Sequence, residues 1–429
     1  MKRLENRNIR YIGALFLIFV IPSFLYIKFN VSHSNSFFIS FFLFSILIFR
    51  KIDFEKINFS PLIIPFALVL FVFVHGILSS CFNDAFNYER FFLSIIYLIA
   101  IIFSAFLIYL FKNKIDDQAL SRSLIIFSYA LLIFAYLSAF GFNFSGAGGK
   151  PVFYFDEPCK FALISSPFFA FILVRRSVFE RYLVYGLLFK LALMQPSITL
   201  MFSVVMAPIF FLELKQSIKF ITLFICIALL SNNINSNHIH LNQYFSERLP
   251  SKTFLYFNNS GNDVLKLEGD LLRIPGTDRI VSQSLAVYYS GWARGYLNFI
   301  PTYGLGLGFQ QLGYRGILDQ FQILLYPLNL KDGSTVGAKL LNEFGFFGIL
   351  FMFFYLKGLW VRISNIRLLS KNYNIYRTKH DHLYIFLDLS YIAYFLLLFV
   401  RGAGYFDASF FLLLISFFYS NFNPLRMKK

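Results

Sequence analysis

Four arginines stand out in a chain otherwise poor in charge: Arg294 in GWARGY, Arg401 in FVRGAGYF, Arg315 in GYRG and Arg90 in NYER. A guanidinium presents a rigid fork of donors that matches phosphate oxygens, so such a set could hold a phosphate-bearing ligand. The plainer account is that each arginine snorkels, or pairs with a nearby carboxylate such as Glu89 or Asp407. Flanking glycine, which permits close approach, favours a binding role for Arg294 and Arg401. Arg273, Arg279, Arg315 and Arg90 stand behind those two. Transfer onto a hydroxyl would also need a proton acceptor. The outer-side candidates are Asp84, Asp156, Glu157, Glu268, Asp270, Asp332 and Glu343, of which Glu157 in YFDEPCKFA and Glu343 in LNEFGFFG are the choices for a base. Asp156 and Glu157 precede Pro158 at an expected helix start, where an acid also serves as a cap. Glu343 falls one turn into an expected span, an unusual place for an ionisable group.

Other chemistry is less well supplied. His238 and His240 would make a metal pair only with further ligands, and none is evident, so no metal or cofactor is expected. His75 reads as a packed, hydrogen-bonded histidine. Cys81, Cys159 and Cys226 are an odd, scattered set without a CxxC pair, which indicates neither a disulfide framework nor a zinc site. GLGLG at Gly304 to Gly308 has no preceding strand and reads as a hinge or a close-packing turn.

The elements that must carry these groups are apolar. Of 429 residues, 58% are hydrophobic, 21% aromatic and 14% charged, with 61 Phe and a mean hydropathy of +0.64. That excludes an ordinary soluble protein. A helix needs about 20 apolar residues to cross a bilayer. Strong candidates are Tyr11–Ile27, Pro61–Ser80, Phe91–Phe111, Ser123–Phe142, Phe161–Val174, Val336–Leu356, Leu383–Val400 and Tyr405–Phe422. Weaker ones are Phe37–Phe49, Val178–Met194, Ser197–Phe211 and Ile218–Ser231. The first stretch lacks a small-residue cleavage site and reads as a retained helix.

The net charge of +17 is gathered in alternate connections, including Lys2 to Arg10, Arg50 to Lys56, Arg175 to Arg181 and Lys357 to Lys379. That is a topology signal and not a nucleic-acid surface. It fits an all-α, polytopic integral membrane protein of about twelve transmembrane helices with both termini cytoplasmic. Residues 1–231 would hold helices one to nine and residues 336–429 helices ten to twelve. Residues 232–335 would form one large periplasmic loop, in which Tyr296–Leu312 and Ile317–Leu330 are interfacial or re-entrant.

DEPCKFA after the fifth span, QPSIT between short paired spans, the loop sequence GWARGYLNFIPTYGLGLG, NEFGFFGIL and FVRGAGYF together resemble the bacterial O-antigen polymerases of the Wzy type. More distantly they resemble the O-antigen ligases. The resemblance implies a C-type membrane glycosyltransferase of the inner membrane that needs no nucleotide sugar. It would move a glycan from undecaprenyl pyrophosphate onto the non-reducing end of an incoming lipid-linked repeat unit in lipopolysaccharide synthesis. Its partners would be that lipid-linked oligosaccharide, membrane lipid and a chain-length regulator protein, with no nucleic acid. The family's ligases carry a histidine before the span that here opens at Val336. Asp332-Gly333-Ser334-Thr335 stands there instead, which favours a polymerase. A polysaccharide flippase is the alternative from another class, against which the long loop and the absence of an internal repeat weigh.

Overall fold

A computed structural model describes residues 2–49, 57–146, 151–175, 177–195, 197–210, 216, 217, 219, 221, 266–268, 271–273, 280–313, 333–371, 382–402 and 404–422. The expected span Ile218–Ser231 lies almost wholly outside them, as do Arg279, Arg315, Asp332, His238 and His240.

The chain is a predominantly helical, polytopic membrane protein. Among the described residues six helices are long and apolar enough to cross a bilayer, and a bent pair makes a seventh. The early helices are α1 (Lys2–Phe19), α2 (Ile21–Phe29), α3 (His33–Phe49), α4 (Ile63–Ser80), α5 (Tyr88–Phe111) and α6 (Asp117–Ala139). They are followed by α7 (Pro158–Arg175), α8 (Val178–Met194) and α9 (Ile198–Met206). After three short antiparallel strands, Lys266–Glu268, Leu271–Arg273 and Ile280–Ser282, come α10 (Gln283–Phe299), α11 (Val336–Phe344), α12 (Phe346–Lys371), α13 (His382–Phe395) and α14 (Ala408–Phe422).

Two expected spans are broken, each for a local reason. Tyr11–Ile27 is divided between α1 and α2, bent by 50° where Pro22 enters the second helix. Proline has no N–H to give to the preceding turn, and its ring crowds the carbonyl there. Val336–Leu356 is divided between α11 and α12 at Gly345, whose φ of 52° no ordinary helical residue adopts. Glu343 therefore sits in a short buried helix ahead of the candidate span Phe346–Leu368.

Outward-facing apolar side chains mark the lipid side. In α12 only 17% of the most apolar window is buried, and Phe353 and Phe354 are 61% and 62% exposed. The inner helix is α7, whose Phe168 meets Phe19, Phe127 and Phe386 at ring separations of 5.0 Å each. Offset and edge contacts of this kind add to plain burial. Four hydroxyls inside the bundle are satisfied on their own helices: Ser104, Ser123, Ser128 and Ser390 each donate to the carbonyl four residues back. This settles a polar group where lipid and packed rings offer it no water.

The two ends of the bundle differ. At the N-terminal end Asp117 accepts from the backbone N–H groups of His382 and Leu383, Tyr11 from that of Asp116, and Arg175 meets His382. The opposite end gathers His33, Arg90, residues 156–160, residues 302–312, α11 and residues 401–407, and it carries the candidate site.

Candidate functional site

A strap formed by residues 304–312 crosses this end of the bundle, and the sequence GLGLG builds it. Gly304, Gly306 and Gly308 all take positive φ, at 77°, 85° and 97°. A Cβ on Gly306 would lie 2.7 Å from the Glu343 carbonyl and 2.7 Å from the Gly345 nitrogen, so only glycine lets the two backbones touch. The strap is tied on both sides. Leu307 and Gly308 N–H groups donate to the carbonyls of Asn342 and Glu343, and Phe346 N–H to that of Gly304. His75 meets the Leu305 carbonyl at 2.9 Å, Asn83 donates to that of Leu307, and the Gln311 side-chain amide pairs both ways with the backbone of Asn87. Irregular backbone at this depth is tolerated when its polar groups are paired in this way. The strap is thus the close-packing turn and not the hinge.

Beneath it lies a buried polar cluster. Lys339 and Glu343, 1% and 0% exposed, face each other one turn apart on α11 at 3.9 Å. The side-chain oxygen of Gln310 accepts from Lys339 Nζ at 3.0 Å and from Arg90 at 3.1 Å. Leu312 N–H donates to Glu343 Oε1, and Lys339 Nζ stands 4.9 Å from the centre of the Tyr405 ring. Asn298 of α10 donates to Asn342, which donates in turn to the Gly291 and Ala338 carbonyls. Arg294 shares the α10 face of Gly291 and Asn298 by its spacing and is only 2% exposed. Burial brings its guanidinium down to about 10, still cationic at neutral pH.

The accessible groups sit alongside. The last turn of the α13 span is a π-helix, Leu396–Val400, which ends in extended backbone at Arg401. A π-turn re-aims the residues that follow it. Gly402 N–H donates to the Ser334 carbonyl, and a Cβ at Gly402 would lie 2.7 Å from the Val336 nitrogen, so this segment is pressed against the start of α11. Arg401 reaches Glu157 at 3.9 Å, with side chains 27% and 49% exposed. The Cys159 thiol donates to the same carboxylate at 2.8 Å. On the other side of the 156–160 segment Lys160 bonds Asp156 at 2.5 Å and His33 at 2.7 Å, and the His33 ring stacks on Tyr26 at 3.7 Å.

Of the residues singled out from sequence, the structure brings Arg401 and Glu157 together, and sets both Arg90 and Glu343 against Gln310. Arg294 lies in the packed α10–α11 layer. Arg273 lies on the middle strand of the small sheet. Sequence reading passed over Lys339, Gln310, Lys160 and Tyr26. For Lys339 a signal existed: a lysine and a glutamate four apart inside VGAKLLNEF face each other on a helix. Thr335 caps α11 by accepting the Ala338 N–H at 3.0 Å. Thr335→Ala is expected to cost about 1 kcal/mol, read as a lower thermal midpoint in detergent.

The arrangement offers a partly exposed cation loosely held by a carboxylate, at the same end of the bundle as a buried polar cluster in which Lys339 is paired with Glu343. An apolar cavity of about 130 Å³, lined by Phe169, Phe202, Leu389 and Leu396 among others, lies elsewhere and presents no charged group from its lining residues. No protein-family model matches the chain, and no curated protein matches it.

Proposed function

We propose that the protein is an inner-membrane O-antigen polymerase of the Wzy type, with about twelve spans, both termini cytoplasmic and the strap end at the periplasmic face. In this reading it transfers a growing glycan from undecaprenyl pyrophosphate to the non-reducing end of an incoming lipid-linked repeat unit. The observation that carries it is the Arg401–Glu157 pair: a guanidinium 27% exposed, in irregular backbone at the end of a span, held at 3.9 Å by a carboxylate itself 49% exposed. An exposed pair at that distance contributes little to stability and opens readily.

Arg401 turns from Glu157 to the oxygens of the donor's diphosphate and stabilises the charge that grows as the sugar leaves it. Glu157, released, accepts the proton of the acceptor hydroxyl. The bond from the sugar's anomeric carbon to the phosphate oxygen breaks, a bond to the acceptor oxygen forms, and undecaprenyl diphosphate departs. Arg294, cationic beneath the surface, adds to the positive potential that the diphosphate meets.

Arg401→Ala is expected to lower polymerisation by about 10²-fold or more, the scale on which one preorganised donor matters. On a gel the lipopolysaccharide ladder should collapse to a single capped repeat at wild-type protein level. A full ladder from both Arg401→Ala and Arg294→Ala would sink the assignment. Polymer left on its lipid carrier in a deletion strain would make the protein a ligase.

A further inference from the structure

Arg401 is aimed by its backbone, and α10 holds that backbone on both sides. The π-turn Leu396–Val400 is closed by the Arg401 N–H, which donates to the Leu396 carbonyl five residues back at 2.9 Å. The last carbonyls of a helix have no donor on their own helix. The Phe399 carbonyl, two residues before Arg401, takes one from another element: the Tyr288 hydroxyl of α10 donates to it at 3.0 Å. One turn along the same face of α10, the Trp292 ring lies 2° from parallel to that of Phe399, at a separation of 6.4 Å.

The other side is tied through one intermediary. Gly402 N–H donates to the Ser334 carbonyl at 2.8 Å, and the Ser334 hydroxyl donates at 2.6 Å to the carbonyl of Val287, the residue before Tyr288. Ser334 is 2% exposed and holds a φ of 67°, in the left-handed region that is costly for a residue with a side chain. Such a conformation persists where the surroundings over-determine it, and strain of this kind gathers at functional sites. Two successive residues of α10 thus bracket Arg401: Tyr288 directly at position 399, and Val287 through Ser334 at position 402.

A donor stabilises developing charge in proportion to how well it is placed beforehand. With residues 399–402 fixed, the exchange of Arg401 between Glu157 and a diphosphate is a rotation of its side chain alone. We propose that Tyr288 and Ser334 are positioning residues for Arg401, which hold the 399–402 backbone so that the guanidinium meets the diphosphate. The proposal rests on the role of Arg401 given above, and adds to it which residues set its aim.

The test pairs a distance with the gel. In full-length protein in nanodiscs, with Cys81→Ser, Cys159→Ser and Cys226→Ser as background, nitroxides are placed on Arg401→Cys and on Tyr88→Cys, a residue 51% exposed at the start of α5. The control pair is Tyr88→Cys with Phe140→Cys, 67% exposed at the end of α6. Tyr288→Phe removes one hydroxyl and leaves the Phe399 carbonyl without that donor, which should lower the weight of the native arrangement by about tenfold. The 401–88 distance distribution should broaden or gain a second population, the 88–140 distribution should keep its shape, and polymerisation should fall by about tenfold at wild-type protein level. Ser334→Ala should act in the same direction. An unchanged 401–88 distribution in both variants would overturn the proposal, as would equal broadening of the control pair, which signals general loosening of the fold. So would a full ladder from both variants when Arg401→Ala collapses it. Broadened 401–88 distances beside a full ladder from Arg401→Ala and Arg294→Ala keep the bracket and remove the polymerase assignment. A ladder collapsed by Arg401→Ala with unchanged distances in both variants does the opposite.

Discussion

Gly345→Ala should leave almost no stably folded protein. At this position φ is 52°, and an added Cβ would sit 1.9 Å from the Gly304 carbonyl oxygen and 2.6 Å from its carbon. The obstacle is backbone, which cannot rotate aside as a side chain can. Backbone strain alone costs about 1–3 kcal/mol. Separating strap from helix would further strip the Phe346 N–H of its 2.8 Å bond to Gly304. The total passes about 4 kcal/mol, a large part of the 5–15 kcal/mol that holds a typical protein folded. Gly186 is the matched control: it lies within α8 with nothing within 4 Å of an added Cβ. Gly186→Ala should be neutral or stabilising by up to about 1 kcal/mol, because it removes glycine from a helix interior. Monodisperse yield and thermal midpoint in detergent separate the two. A Gly345→Ala variant that melts with the wild type would show that the strap does not bear on the break between α11 and α12.

The second large effect is expected at Lys339. Removing one member of a buried pair strands the other, at a cost of about 3–5 kcal/mol. Lys339→Ala should do this to Glu343, which is 0% exposed, and should also take a donor from Gln310. The double variant Lys339→Met, Glu343→Leu removes both charges while keeping volume, and should be more stable than Lys339→Ala alone. Additive losses in the double variant would show that the two groups are not coupled. Because Lys339 also stands over the Tyr405 ring, four residues beyond Arg401, the single variant should shift Arg401 and, under the function proposed above, shorten the lipopolysaccharide ladder as well.

Apolar runs made most of the helices legible, since hydropathy needs only composition within a window. The breaks were less so. Pro22 announces a bend, yet Gly345 is hidden in LNEFGFFGIL, where a glycine between phenylalanines leaves the apolar pattern intact. What makes it a break is the carbonyl of Gly304, which arrives from elsewhere in the chain. The same limit governed the site. Arg401 and Glu157 could each be picked out by type and setting, but their meeting is a product of how α7 and α13 pack. Asp156 and Lys160 were readable as a pair four apart; His33 joining them from the start of α3 was not.

The strap has a consequence for how the chain is made. The polar groups that greet it from α4 and the connection to α5, at His75, Asn83 and Asn87, find their partners at Leu305, Leu307 and Gln311, more than 220 positions later. Contacts between such distant parts carry a large loop-closure cost and form late. A chain emerging in order inserts α4 and α5 with those groups waiting, and they are satisfied only once synthesis has passed Gln311. Assembly of this end is therefore the closing act of biogenesis, and a nascent chain halted before Gly304 would hold its early helices in place with an unfinished, polar rim.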